Sequence, residues 1–134
     1  MNVSRGNRSF FWNTLPAVLW PVLIFGASSI PAEEIPHSQI FYYDKLLHAG
    51  VFGVFCFLMY RALTLKTPPV SEGKAMLYSV LATILYGATD ELHQFFVPGR
   101  TPEIYDLAAD GVGALICISI LFIVRRIRRP SSPQ

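Results

Sequence analysis

Four apolar runs of about twenty residues, separated by proline-bearing connectors, constrain this chain more than any other feature of it. A bilayer core of about 30 Å is crossed by about 20 mostly apolar residues in a helix. Runs of that kind lie at about 10–30, 45–65, 75–96 and 102–124. Pro31 and Pro36 follow the first, Pro68 and Pro69 the second, and Pro98-Gly99 the third. Thr101-Pro102-Glu103 offers an N-cap, a proline at the first helical position and an early acid, which starts the fourth helix there. The expected fold is all-α: a small polytopic membrane protein with four transmembrane helices, organised as one membrane domain over 1–134.

Composition agrees. Of 134 residues, 52% are hydrophobic and 15% charged, whereas soluble domains carry about 25% charged residues. A disordered chain, a coiled coil and a disulfide-rich secreted scaffold are excluded. The net charge of +2 leaves no broad basic surface, so nucleic acid is not an expected partner. Cys56 and Cys117 sit inside apolar runs, far from any Cys-x-x-Cys spacing, and read as small buried hydrophobes.

The modest overall charge hides a strong segregation. The N-terminus, the 61–75 connector and the C-terminus hold Arg5, Arg8, Arg61, Lys66, Lys74, Arg125, Arg126, Arg128 and Arg129, against the single acid Glu72. The opposite side holds Lys45 and Arg100 against Glu33, Glu34, Asp44, Asp90, Glu91, Glu103, Asp106 and Asp110. Lys and Arg are retained in the cytoplasm during insertion, so both termini are expected to be cytoplasmic. Arg5 and Arg8, an apolar stretch and Gly26-Ala27-Ser28-Ser29 also fit a signal peptide, although Phe10 to Phe25 is long for one. Pro16 and Pro21 predict a kinked first helix, and Phe41-Tyr42-Tyr43 an aromatic belt above the second. Gly50, Gly53, Ala109 and Gly113 are expected where helices approach closely.

Polar residues within the runs collect at the extracytoplasmic end. Asp44, Lys45 and His48 open the second helix, with Asp44 and His48 four apart on one face. Tyr86, Asp90 and Gln94 recur at spacing four in the third, with Glu91 beside them and His93 on another face. Asp90 and Glu91 lie roughly 22 Å along a helix begun at Ala75. Asp106 and Asp110 are one turn apart in the fourth, and Arg100 comes from the preceding loop. Ionisable groups near a helix centre cost on the order of 2.5–3.5 kcal/mol each, less toward the ends. Three helices carrying them at one level therefore argue for a shared polar pocket open to the outer surface.

Lys45 and Arg100 cannot neutralise Asp44, Asp90, Glu91, Asp106 and Asp110 together, so the surplus acids hold protons, a cation or a positively charged ligand group. Glu91 and Asp90 are the first candidates for general acid or base, with His48 as a base or metal ligand. The bland alternative is a salt-bridge network that locks four small helices together. His93 reads as interfacial and His37 as solvated in an acidic loop. No cofactor is expected. Carboxylates and imidazole would suit a divalent ion such as zinc, manganese or magnesium, but no tight motif such as H-E-x-x-H is present.

Asp44-Lys45-Leu-Leu-His48, Tyr86-Gly87-Ala-Thr-Asp90-Glu91-Leu-His-Gln94-Phe-Phe-Val-Pro98-Gly-Arg100-Thr and Asp106-x-x-x-Asp110-x-x-Gly113 resemble the VanZ-like family over about residues 40–120. The resemblance implies a small polytopic bacterial membrane protein, the family being named for a member associated with resistance to the glycopeptide teicoplanin. The recurrent Asp-Lys-x-x-His falls on Asp44, Lys45 and His48, Glu-x-x-Gln on Glu91 and Gln94, the loop Arg on Arg100, and the Asp on Asp106. Asp110 stands where many members have Asn.

The resulting expectation is a protein of the bacterial cytoplasmic (inner) membrane that binds or modifies a lipid-linked or cell-envelope molecule at the outer leaflet. Lys45, Arg100, Gln94, Asp44, Asp106 and Asp110 would bind it, and Glu91, Asp90 and His48 would handle protons. A membrane lipid is the alternative partner. Rival readings are a proton-coupled transporter component and a non-catalytic partner of another membrane subunit. Clustered intramembrane acids favour the transporter; an apolar inner half of every helix counts against it.

Overall fold

The computed structural model describes residues 3–34, 40–66 and 68–128, with the side chains of 11–34, 43–66 and 68–128. Pro36, His37 and Arg129, and the side chains of Arg5, Arg8, Phe41 and Tyr42, lie outside the described residues. The chain forms α1 (Val3–Ser28), a short 3-10 turn (Ala32–Glu34), α2 (Ile40–Leu65), α3 (Glu72–Gln94) and α4 (Ile104–Arg128). The fold is all-helical, as expected. Among the described residues, three segments are long and apolar enough to cross a membrane: Phe11–Ser28, Tyr43–Leu65 and Ile104–Arg128. α3 is not among them, because Ser79, Thr83, Asp90, Glu91 and Gln94 run down one side of it.

Two boundaries differ from expectation. α2 begins at Ile40, so Asp44 and Lys45 sit in its second turn. α4 begins at Ile104, leaving Pro102 in the connector. The first turn of α4 closes on the Glu103 carbonyl, which accepts from the Asp106 amide at 2.9 Å. Glu103 therefore occupies the capping position expected of Thr101, for a reason supplied by α3 and described below.

The bundle is apolar outside and small or polar inside. Leu77, Leu81, Leu85 and Leu92 of α3, and Ile116, Ile120, Ile123 and Ile127 of α4, are exposed. The buried line of α3 is Ala75, Ser79, Thr83, Gly87, Asp90, Glu91 and Gln94. Ser79 and Thr83 donate to the carbonyls four residues earlier, at 2.7 and 2.8 Å, so neither hydroxyl is left unpaired. A water-facing exterior would reverse this arrangement, whereas lipid favours it. The apolar core is correspondingly small: Ile24, Phe52 and Phe55, with Trp20, Val51, Met59 and Tyr86 against them.

α2 and α4 share the most extensive contact, and glycines make it possible. A Cβ on Gly113 would collide with the backbone of Ala49, and one on Gly53 would lie 3.2 Å from the Gly113 carbonyl oxygen. Gly50, expected at a helix contact, has nothing within 4 Å of its Cβ position. It points away from the bundle, three residues before Gly53.

α1 is fastened to both neighbours. The Trp20 indole donates to the Val51 carbonyl at 3.0 Å, and the Tyr86 hydroxyl donates to the carbonyl of Pro21, one of two prolines inside α1. The Ala32 amide donates to the Pro98 carbonyl at 3.2 Å, which pins the turn after α1 against the α3–α4 connector. Gly99 turns that connector with φ +72°, a left-handed conformation that disfavours a side chain.

Candidate functional site

The start of α2, the end of α3 and the start of α4 meet at one end of the bundle, and the expected site residues of these helices meet there. Lys45 Nζ donates to Asp44 Oδ2 at 3.2 Å, to Glu103 Oε2 at 2.8 Å and to Asp106 Oδ1. One ammonium thus holds three carboxylates, from α2, the α3–α4 connector and α4. One turn deeper, His48 Nδ1 lies 3.0 Å from Asp110 Oδ1. Asp110 is fully buried, while the His48 side chain is 15% exposed. Gly87 of α3 admits it, since a Cβ there would meet the Asp110 carboxylate.

The α3 carboxylates are shared out differently. Asp90 Oδ2 accepts from the Ser28 hydroxyl at 2.9 Å and from Gln94 Nε2 at 3.1 Å, which ties α1 to α3. Glu91 Oε2 accepts from the Glu103 backbone amide at 2.8 Å. The first amides of a helix have no acceptor within it, so Glu91 takes the place of a local cap. Glu91 and Asp90, the expected proton carriers, are thus both engaged across helix boundaries. Among the described residues each keeps one oxygen without a hydrogen-bond partner, as does Asp110: Asp90 Oδ1, Glu91 Oε1 and Asp110 Oδ2.

Arg100 donates through Nε to the Ile30 carbonyl at 3.2 Å. That bond leaves its two terminal amino groups for other partners. His93 turns to α1, with Nε2 2.9 Å from the Ser29 hydroxyl and its ring stacked on Phe25 at 4.2 Å.

The opposite end carries the basic residues. Arg125 pairs with Glu72 and lies over the Tyr60 ring at 5.2 Å, and Arg61 donates to Asn13 at 3.3 Å. Two hollows of about 320 and 410 Å³ lie here between α3 and α4. Glu72, Met76, Phe122, Arg125 and Arg126 line the first, and Leu121, Val124 and Arg128 join Glu72 and Arg125 around the second. Neither lies at the Lys45 cluster.

Asp44, Lys45, His48, Glu91, Asp106 and Asp110 thereby form one spatial unit, with Gln94 joined to it through Asp90, whereas Arg100 is tied to Ile30 instead. A family model described as VanZ/LLP1 matches residues 7–125. The chain belongs to the VanZ/LLP1 family. No curated protein and no solved structure matches it. With its membrane-type helices, this is a VanZ-like membrane protein.

Three participants in this VanZ-like site escape a reading of the sequence. Ser28 reads there as part of a small-residue cleavage signal, Glu103 as an early acid of α4, and Gly87 as a position of the VanZ-like motif with no role of its own. Only Gly87 carries a usable signal, because it continues the buried line of Ser79 and Thr83 at spacing four. Ser28 and Glu103 meet their partners across 62 and 12 residues of chain, which no local periodicity reports.

Proposed function

We propose that this VanZ/LLP1 protein crosses the bacterial cytoplasmic membrane four times, with both termini in the cytoplasm, and binds a lipid-linked or other cell-envelope molecule at its outer end. The ties on α3 support a fourth crossing beside the three apolar helices. Glu72 meets Arg125 near one end of α4, and Glu91 meets Glu103 at the other. α3 therefore runs antiparallel to α4 over its whole length, roughly 34 Å for 23 residues. Its polar line faces helices, so low hydropathy does not bar it from the bilayer. The orientation rests on the basic residues gathered at the Arg125 end.

The observation that carries the binding role is the set of buried carboxylates with an unpaired oxygen each, Asp90, Glu91 and Asp110. Buried polar groups are ordinarily satisfied. Unpaired acceptors at one level of the bundle suit the hydroxyl or ammonium groups of a glycosylated or amino-bearing ligand. Arg100 supplies the charge for an anionic headgroup, a role that Lys45, already holding three carboxylates, fills less readily. His48 stands next to the unpaired acids for any proton movement. The self-satisfied Ser79 and Thr83 hydroxyls offer no relay inward, which weighs against a proton-coupled transporter.

The test is expression in a glycopeptide-sensitive bacterial host. Teicoplanin and vancomycin susceptibility is compared for wild type, Arg100→Ala, His48→Ala and Glu91→Gln at equal membrane abundance. Protection lost in the variants supports an outer site with a cell-envelope ligand. If wild type protects nothing, and lipids co-purifying with it are unchanged by Arg100→Ala and Asp110→Asn, the reading fails. The cluster is then a lock between helices, a reading favoured by the three-way hold on Lys45 and the Glu91 cap.

A further inference from the structure

The geometry points to a divalent transition-metal site formed by Asp44, His48 and Asp106, with Asp110 orienting His48 and the Lys45 ammonium as the competing internal cation. This inference shares the outer cluster with the function proposed above but does not depend on its ligand.

One ligand atom from each of Asp44, His48 and Asp106 lies within 4.8 Å of the others. Zinc bonds to oxygen and nitrogen are about 2.0–2.2 Å long. The three groups therefore need only a small rotation to converge, and the Asp44 side chain, 31% exposed, has room for it. Two carboxylates and a neutral imidazole balance the charge of a dication. Three protein ligands also leave a position for water or substrate, the pattern of catalytic rather than structural sites.

Two further observations point to a ligand. Asp110 takes His48 Nδ1 at 3.0 Å, which leaves Nε2 as the nitrogen available to a metal. A carboxylate on the far nitrogen of a histidine is the usual support of a metal ligand, fixing its tautomer and orientation. Secondly, negative charge is in surplus. Glu91 is more than nine-tenths buried, keeps one oxygen unpartnered among the described residues, and has Asp106 and Asp110 as negatively charged neighbours. Lys45 relieves that surplus in this structure by holding Asp44 and Asp106, the two carboxylates a metal would require. Its side chain is 42% exposed and can swing away toward Glu103 and the surface.

Borderline nitrogen and oxygen ligands favour zinc, with manganese weaker. The test uses the full chain in detergent micelles, purified without a histidine tag and stripped with chelator. Zinc and manganese are titrated calorimetrically, and bound metal is counted by elemental analysis after desalting. One zinc per chain is expected, weakened about tenfold or more by His48→Ala, Asp106→Asn and Asp110→Asn. His93→Ala leaves it unchanged. Lys45→Met tightens binding by about tenfold, because a like charge is removed from beside the ion. The Lys45→Met arm decides the matter even if a ligand variant fails to fold. Substoichiometric zinc in both wild type and Lys45→Met, each monodisperse, overturns the site, as does binding indifferent to a folded His48→Ala. Zinc lost while co-purified lipid is retained would overturn the metal site and leave the binding function standing.

Discussion

The Glu91 carboxylate of α3 accepts the backbone amide of Glu103 at 2.8 Å, so the start of α4 is capped by a side chain from its neighbour. A negative group at a helix N-terminus also meets the positive end of the helix dipole. The cap needs an acceptor oxygen; proton transfer needs a titratable group. Glu91→Gln is therefore expected to keep thermal stability in micelles close to wild type, while Glu91→Ala loses about 0.5–2 kcal/mol. Glutamine and alanine losing equally would show that the charge, not the acceptor, holds α4. Loss of activity in a stable Glu91→Gln would assign the carboxyl to proton transfer.

Gly113 and Gly50 separate close approach from mere helix composition. Gly113→Ala forces a methyl group onto the Ala49 backbone and is expected to cost about 1–3 kcal/mol. Gly50→Ala meets nothing within 4 Å and should stabilise by up to about 1 kcal/mol through helix propensity. Unfolding in a graded detergent series measures both. Equal effects would mean that α2 and α4 do not meet at Gly113.

Lys45 and Asp106 should be coupled. Asp106 is 7% exposed at its side chain and Lys45 42%, so the pair is partly screened by solvent. With chelator present, Lys45→Met and Asp106→Asn are each expected to destabilise, and the double variant to lose less than their sum by about 0.5–1 kcal/mol. Strict additivity would show that Lys45 spends its charge on Asp44 and Glu103 instead.

Cys56 and Cys117 are both free thiols, and their side chains interact across the α2–α4 contact. A membrane-permeant oxidant should join them within one chain, removing both from maleimide labelling after denaturation. Labelling that persists would place the two helices in another register.

Orientation has its own test. A fluorescent protein fused after residue 134 should fluoresce, and alkaline phosphatase fused after Arg100 should be active, because the basic ends stay in the cytoplasm. The reverse pattern would invert the assignment of the Lys45 cluster to the outer side.

The order of amino acids already carries the helix count, the segregation of charge to opposite ends, and the membership of Asp44, Lys45, His48, Asp106 and Asp110 in one polar level. These follow from run length, from proline placement and from spacing four, all of which are properties of a single helix. Who pairs with whom is set by how the helices pack. Packing put Lys45 among three carboxylates, Asp110 on His48, Ser28 on Asp90 and Glu91 beneath the first amide of α4. It also turned Gly50 outward while burying Gly87 against Asp110. The difference comes from rotation about the helix axis. Periodicity marks which residues share a face, but the partner that face meets, and at what height, depends on how Gly53 and Gly113 let α2 and α4 close upon each other.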